Sequence, residues 1–128
     1  MKKYLRLIIV LIGIITIISG LVQMLFPAFI LKMVGAETTT TTKHFFAIIG
    51  MFMFLFGGLV VHALYSVQTN KAAILWCALQ KFGAAIAVAI GIAHQLFSLT
   101  AGLVASFDFI SGIIILFYFK SLYAYEVR

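Results

Sequence analysis

Residues 73–93 read AILWCALQKFGAAIAVAIGIA, a stretch of 21 residues whose single charge is Lys81. A helix rises about 1.5 Å per residue, so this length matches a bilayer core about 30 Å thick. Similar stretches occur at about 5–26, 45–65 and 103–119, and the four together fill most of the 128 residues. The expected fold is all-α: a polytopic membrane protein whose four transmembrane helices form an up-down-up-down bundle, in one domain covering residues 1–128.

Composition points the same way, with 65% of residues hydrophobic, 9% charged and a mean hydropathy of +1.23. Soluble chains carry about 25% charged residues. The net charge of +6 does not indicate nucleic acid, because the nine Lys and Arg form no basic stripe and all but Lys81 sit near span edges. Membrane lipids are the partners this pattern implies, with a homo-oligomer or a larger membrane protein as the further possibility. The lone Cys77 excludes an intrachain disulfide and a multi-cysteine metal site.

The first span begins MKKYLR, like the basic start of a signal peptide, but its apolar run is long and no A-x-A site follows. A retained helix ended by Pro27 is expected, since proline lacks the N–H that continues the ladder. Residues 28–43 then form the largest connector, apolar in its first half. Its second half carries five threonines, of which Thr41 or Thr42 is placed to cap the next helix. Residues 66–71 and 98–102 make short turns, which force neighbouring helices to run antiparallel.

An even number of spans puts both termini on one side. Lys2, Lys3, Arg6, Lys71, Lys120 and Arg128 fall on that side, against Lys32 and Lys43 on the other. The positive-inside rule makes the first side cytoplasmic, in what is expected to be a bacterial inner membrane. Tyr4, Tyr65, Trp76, Tyr118, Tyr123 and Tyr125 gather near that boundary as an aromatic belt.

Because lipid is as apolar as leucine, small and polar residues mark the inward faces. On the first span Arg6, Gly13, Thr16, Gly20 and Gln23 share one helical face, and on the second Gly50 and Gly57 lie a heptad apart with Gly58 and His62 alongside. The third offers Gly83, Ala87 and Gly91 at four-residue spacing, and the fourth offers Ala101, Ala105, Asp108, Ser111 and Gly112. Each series is expected to form a close-packing seam.

Lys81 and Asp108 are the residues that such a seam does not need. Lys81 lies about eight residues into its span and Asp108 about five into the next, from opposite membrane faces, so both lie deep in the membrane. An ionisable group at that depth is usually paired or faces a cavity, and it marks a functional site by default. Two arrangements follow: a Lys81–Asp108 pair, structural or lining a cavity, or Lys81 reaching toward the headgroups beside a protonated Asp108. Met51, Phe52, Met53 and Phe54 are candidates for an apolar pocket wall.

Gln23, Lys81, Asp108 and His94 are the expected ligand-binding or intramembrane polar residues. Nothing specifies a cofactor or metal; His44 and His94, on one side of the membrane, are the pair that could ligate a haem. No HExxH, phosphate-binding glycine loop or catalytic Ser-His-Asp set occurs, so no enzyme activity is indicated.

An N-terminal span ending at Pro27, a second helix running His44-Phe-Phe-Ala-Ile-Ile-Gly50 through Gly57, and Asp108 inside the last span together resemble the DoxX-like family of small four-helix membrane proteins. The resemblance covers nearly the whole chain. It implies a compact bundle, with some relatives serving as accessory or assembly partners of larger membrane proteins or redox systems. The expected function is binding of a lipid or lipophilic small molecule between helices, or service as an accessory subunit. A proton-coupled homo-oligomeric transporter using Asp108 and a haem or redox subunit are the alternatives.

Overall fold

The computed structural model describes residues 1–126, so Arg128 and the side chain of Tyr125 lie outside the described residues. The chain forms α1 (Lys2–Leu25), α2 (Pro27–Met33), α3 (Thr40–Tyr65), α4 (Lys71–Ala93) and α5 (Ala101–Glu126). No strand occurs among the described residues. The four long helices pack as a bundle, and each is long and apolar enough to cross a membrane. Their outer faces leave Ile8, Leu11, Ile18, Leu55, Ile86 and Ile113 exposed. So continuous an apolar exterior is stable against lipid and not against water, and the chain is an integral membrane protein.

Local chemistry sets the helix ends. Pro27 does more than stop α1: after Phe26 leaves helical geometry (φ −131°, ψ 56°), proline occupies the first turn of α2, where a missing N–H costs nothing. The apolar half of the connector is therefore a helix. Its last turn closes as a Schellman motif on Gly35, at φ 69°, with the Ala36 N–H donating to Leu31 O (2.8 Å) and Gly35 N–H to Lys32 O (3.1 Å).

The cap of α3 is Thr39, earlier than expected, because Thr39 and Thr42 close a reciprocal capping box. Thr42 N–H donates to Thr39 Oγ1 (3.1 Å), while Thr39 N–H donates to Thr42 Oγ1 (2.8 Å). Helix α4 is capped by Asn70, whose Oδ1 accepts from Ala73 N–H at 3.0 Å.

At its other end α4 repeats the Schellman geometry with Gln95 at φ 60°, where Leu96 N–H donates to Gly91 O and Gln95 N–H to Ile92 O. A side chain in this left-handed region costs about 1–2 kcal/mol that glycine avoids. Gln95→Gly is expected to stabilise the protein by about 1 kcal/mol, read as a rise in unfolding temperature in detergent; a fall would show that the Gln95 side chain contributes more than the strain costs.

Helices α1 and α3 meet antiparallel through two glycine pairs. A methyl group added at Gly20 would lie 2.6 Å from Gly50 O, and one at Gly57 would lie 2.8 Å from Gly13 O. The backbones touch at both points, which only glycine permits. Helices α4 and α5 pair differently: the Phe82 ring fills the notch at Gly112, 3.0 Å from where a methyl group would sit.

Gly83 and Ala87, expected on a packing seam, face outward. Nothing lies within 4 Å of a methyl group placed at Gly83, and Ala87 is exposed. The reason is angular. Ile74, Cys77, Ala78, Lys81 and Ala85 form the buried face of α4, and Gly83 stands two positions, or about 200°, from Lys81. Both cannot point inward. Gly91 is buried, but beneath Phe97 of the α4–α5 loop.

The apolar core sits in the half of the bundle that carries the termini, around Ile9, Leu64, Ile74 and Ile115. Tyr118 belongs to that core, at 5% exposure, and is not part of an aromatic belt. Tyr4, Tyr65, Trp76 and Tyr123 are exposed. In the opposite half the interior opens between α1 and α5.

Candidate functional site

Lys81 and Asp108 are 5% and 6% exposed, and they are paired. Lys81 Nζ donates to Asp108 Oδ1 at 2.8 Å and to Thr16 Oγ1 at 2.8 Å. Thr16, in turn, donates its hydroxyl proton to Ile12 O, one turn back (2.8 Å), which leaves its lone pairs for the ammonium. The Phe107 ring stands 5.1 Å from Nζ and offers its π face to the same cation. One charge is thus held from three helices: α4 supplies it, α1 solvates it and α5 neutralises it.

This arrangement selects the paired alternative over a lysine that escapes to the headgroups. Removing two ions from water costs several kcal/mol each, and here Coulomb attraction, the threonine acceptor and the ring offset that cost together. No buried polar side-chain atom among the described residues lacks a hydrogen-bond partner.

The pair forms the floor of a cavity of about 390 Å³ between α1 and α5. Its volume falls within the range of small-molecule sites, about 300–1,000 Å³. Thr16, Ser19 and Gln23 line it along α1, at spacings that put them on one face, and Val104, Phe107 and Asp108 line it along α5. Ile30 and Met33 of α2 border its far end. The cavity is not sealed: Ile15, Ile18, Leu103 and Val104 border it while remaining exposed on the lipid-facing surface.

Gln23 has a second task. Its Nε2 donates to Phe46 O of α3 at 2.9 Å, tying α1 to α3 beyond the Gly20–Gly50 contact, yet the side chain still borders the cavity. Across the top, Ser98 N–H and Oγ donate to Val34 O (2.8 and 3.0 Å), and Thr100 Oγ1 donates to Met33 O (2.9 Å). These bonds latch α2 to the α4–α5 loop, so the end of the cavity has a fixed border.

Of the residues singled out in the sequence, Gln23, Lys81 and Asp108 meet at this cavity. His94 does not: it is the exposed C-cap of α4 and is absent from the lining, and His44 is exposed at the start of α3. No group of three or more His, Cys, Asp or Glu suited to a metal occurs among the described residues. Met53 lines the cavity, whereas Met51 and Phe52 face outward and Phe54 packs against Gly20.

Sequence reading missed Ser19, Phe107 and the α2 border. The Pro27 start and Gly35 stop of α2 were legible signals for that helix. Nothing in the spacing distinguished Phe107 from its twelve fellow phenylalanines. No family model, curated protein or solved structure matches this chain.

Proposed function

We propose that this protein binds a lipid or lipophilic small molecule in the cleft between α1 and α5, without catalysing a reaction on it. The observation that carries this reading is a cavity of about 390 Å³, open toward lipid, with a buried and mutually neutralised Lys81–Asp108 pair at its floor. Apolar walls around a few fixed polar groups are the usual composition of a small-molecule site. With both termini in the cytoplasm, as six basic residues against two imply, the cleft opens in the outer half of the membrane.

A second reading has its own support. The exposed Gly83–Ala87 face of α4, with open space over Gly83, is a surface on which another helix could pack closely. That fits an accessory subunit, the role some DoxX-like proteins fill, and the two readings are compatible.

Native mass spectrometry of protein extracted gently from its own membrane tests both. The expected spectrum shows one lipophilic adduct, lost when Val104→Trp fills the cleft from its exposed rim. A stoichiometric larger protein would establish the accessory role. A bare chain from both wild type and variant would overturn the ligand-binding reading.

A further inference from the structure

The hydrogen-bond inventory of the cleft is lopsided, and the imbalance specifies the ligand. Resting on the binding reading above, we infer that the cleft selects an uncharged, hydroxyl-bearing lipid, one that donates a hydrogen bond to Asp108, over a fatty-acid anion of the same length. Asp108 Oδ1 accepts from Lys81, but Oδ2 has no protein partner among the described residues. Because no fully buried side-chain oxygen is left unsatisfied, Oδ2 is not sealed in. Asp108 borders the cleft, so this oxygen opens onto it.

Around Asp108, at the floor of the cleft, most donors are already committed. Two of the three Lys81 N–H groups are spent on Asp108 and Thr16, and the Phe107 ring attends the same ammonium. Thr16 has given its proton to Ile12 O, and Gln23 Nε2 is bound to Phe46 O. What remains is a carboxylate oxygen at the floor and, about 10 Å further along α1, Gln23 Oε1, a second acceptor without a protein partner. Ser19 lies between them on the same face, with a hydroxyl that can donate or accept.

A ligand seated against Asp108 must therefore bring a proton. A lipid hydroxyl can donate to Oδ2 without adding charge to a neutral site. An ionised fatty-acid carboxylate has no proton to give, and it would bring a further negative charge into a low dielectric where Lys81 already neutralises Asp108 and no counterion is left. A donor-free ester can fill the apolar volume but leaves Oδ2 unpaired. The polar track from Asp108 past Ser19 to Gln23 suits more than one hydroxyl, as in a monoacylglycerol, with the acyl chain leaving through the open side.

The test uses three probes of one chain length: 1-monoolein, oleate and methyl oleate. Each is added to delipidated full-length protein in detergent, and bound adduct and unfolding temperature are measured. A hydrogen bond to a charged acceptor corresponds to roughly tenfold or more in affinity. Monoolein is expected to bind at least about tenfold more tightly than either other probe and to raise the unfolding temperature most. The double variant Lys81→Met with Asp108→Leu removes the Asp108 acceptor without orphaning a charge, and it should lose most of the advantage that monoolein holds over methyl oleate.

Should that variant not fold, Val104→Trp leaves the pair intact and should abolish monoolein binding. Oleate binding as tightly as monoolein would overturn the selectivity while leaving the cleft a lipid site. Methyl oleate matching monoolein in wild type would overturn the role of Oδ2. No binding of any probe would overturn the selectivity and the proposed function together.

Discussion

Lys81→Met alone should destabilise the protein by about 3–5 kcal/mol, and Asp108→Leu alone by a similar amount, while the two combined should return it to wild-type stability or above. Each single change leaves one charge in a site that is otherwise satisfied. With Lys81 gone, Asp108 faces a hydrocarbon interior with no counterion, and Thr16 loses the cation its lone pairs solvate. With Asp108 gone, the ammonium keeps only Thr16 and the Phe107 ring. The double variant removes both desolvation costs and fills similar volume with apolar atoms. Unfolding by denaturant in detergent measures all four corners of this cycle, and single variants within about 0.5 kcal/mol of wild type would show that the charges are not buried as a pair.

The expected rise in the double variant bears on function. If an apolar replacement holds the bundle as well or better, stability does not account for the pair. The cost of keeping two ions in the membrane is then explained by what they present to the cleft, a fixed carboxylate oxygen that lacks a protein donor. Stability and binding are expected to separate at these two residues, with the double variant retaining the fold and losing the acceptor.

How far the site was legible before the fold was known differs from residue to residue. The four spans were plain, because a bilayer demands about 20 apolar residues and tolerates few charges. Lys81 and Asp108 stood out for the same reason, and sequence depth alone put them within reach of each other. Thr16 was on the correct face but could not be assigned, since its partner lies on a helix 65 positions away. The error over Gly83 and Ala87 had a readable correction: two residues apart on a helix, Lys81 and Gly83 cannot share a face. Where small residues and a charge disagree about which face is inward, the charge decides, because exposing it to lipid costs more than leaving a glycine unpacked. The cleft itself was not legible. It lies between α1, which packs mainly on α3, and α5, which packs mainly on α4, and that choice of neighbours is not written in the spacing along any one helix.

The tightest approach of a glycine to another helix's backbone carries the last expectation: Gly20→Leu should abolish stable folding or cost more than about 3 kcal/mol, whereas Gly83→Leu should stay within about 0.5 kcal/mol of wild type. Overpacking usually costs about 1–3 kcal/mol because side chains can shift, but at Gly20 the obstacles are Gly50 O and Phe54 N, both 2.6 Å from where the first added carbon would sit. Backbone cannot rotate away. Relief requires separating α1 from α3, which breaks the Gly13–Gly57 contact a heptad below and the Gln23–Phe46 bond one turn above. Gly112→Ala should fall between the two, since its obstacle is the Phe82 ring, 3.0 Å away and free to tilt. The ordering, read from unfolding temperatures of purified protein, distinguishes a glycine that the fold requires from one that it does not. Were Gly83→Leu the damaging change in the native membrane but harmless in detergent, the outward face of α4 would be the surface that meets a partner, and the second reading of function would gain the support that the first loses nothing by granting.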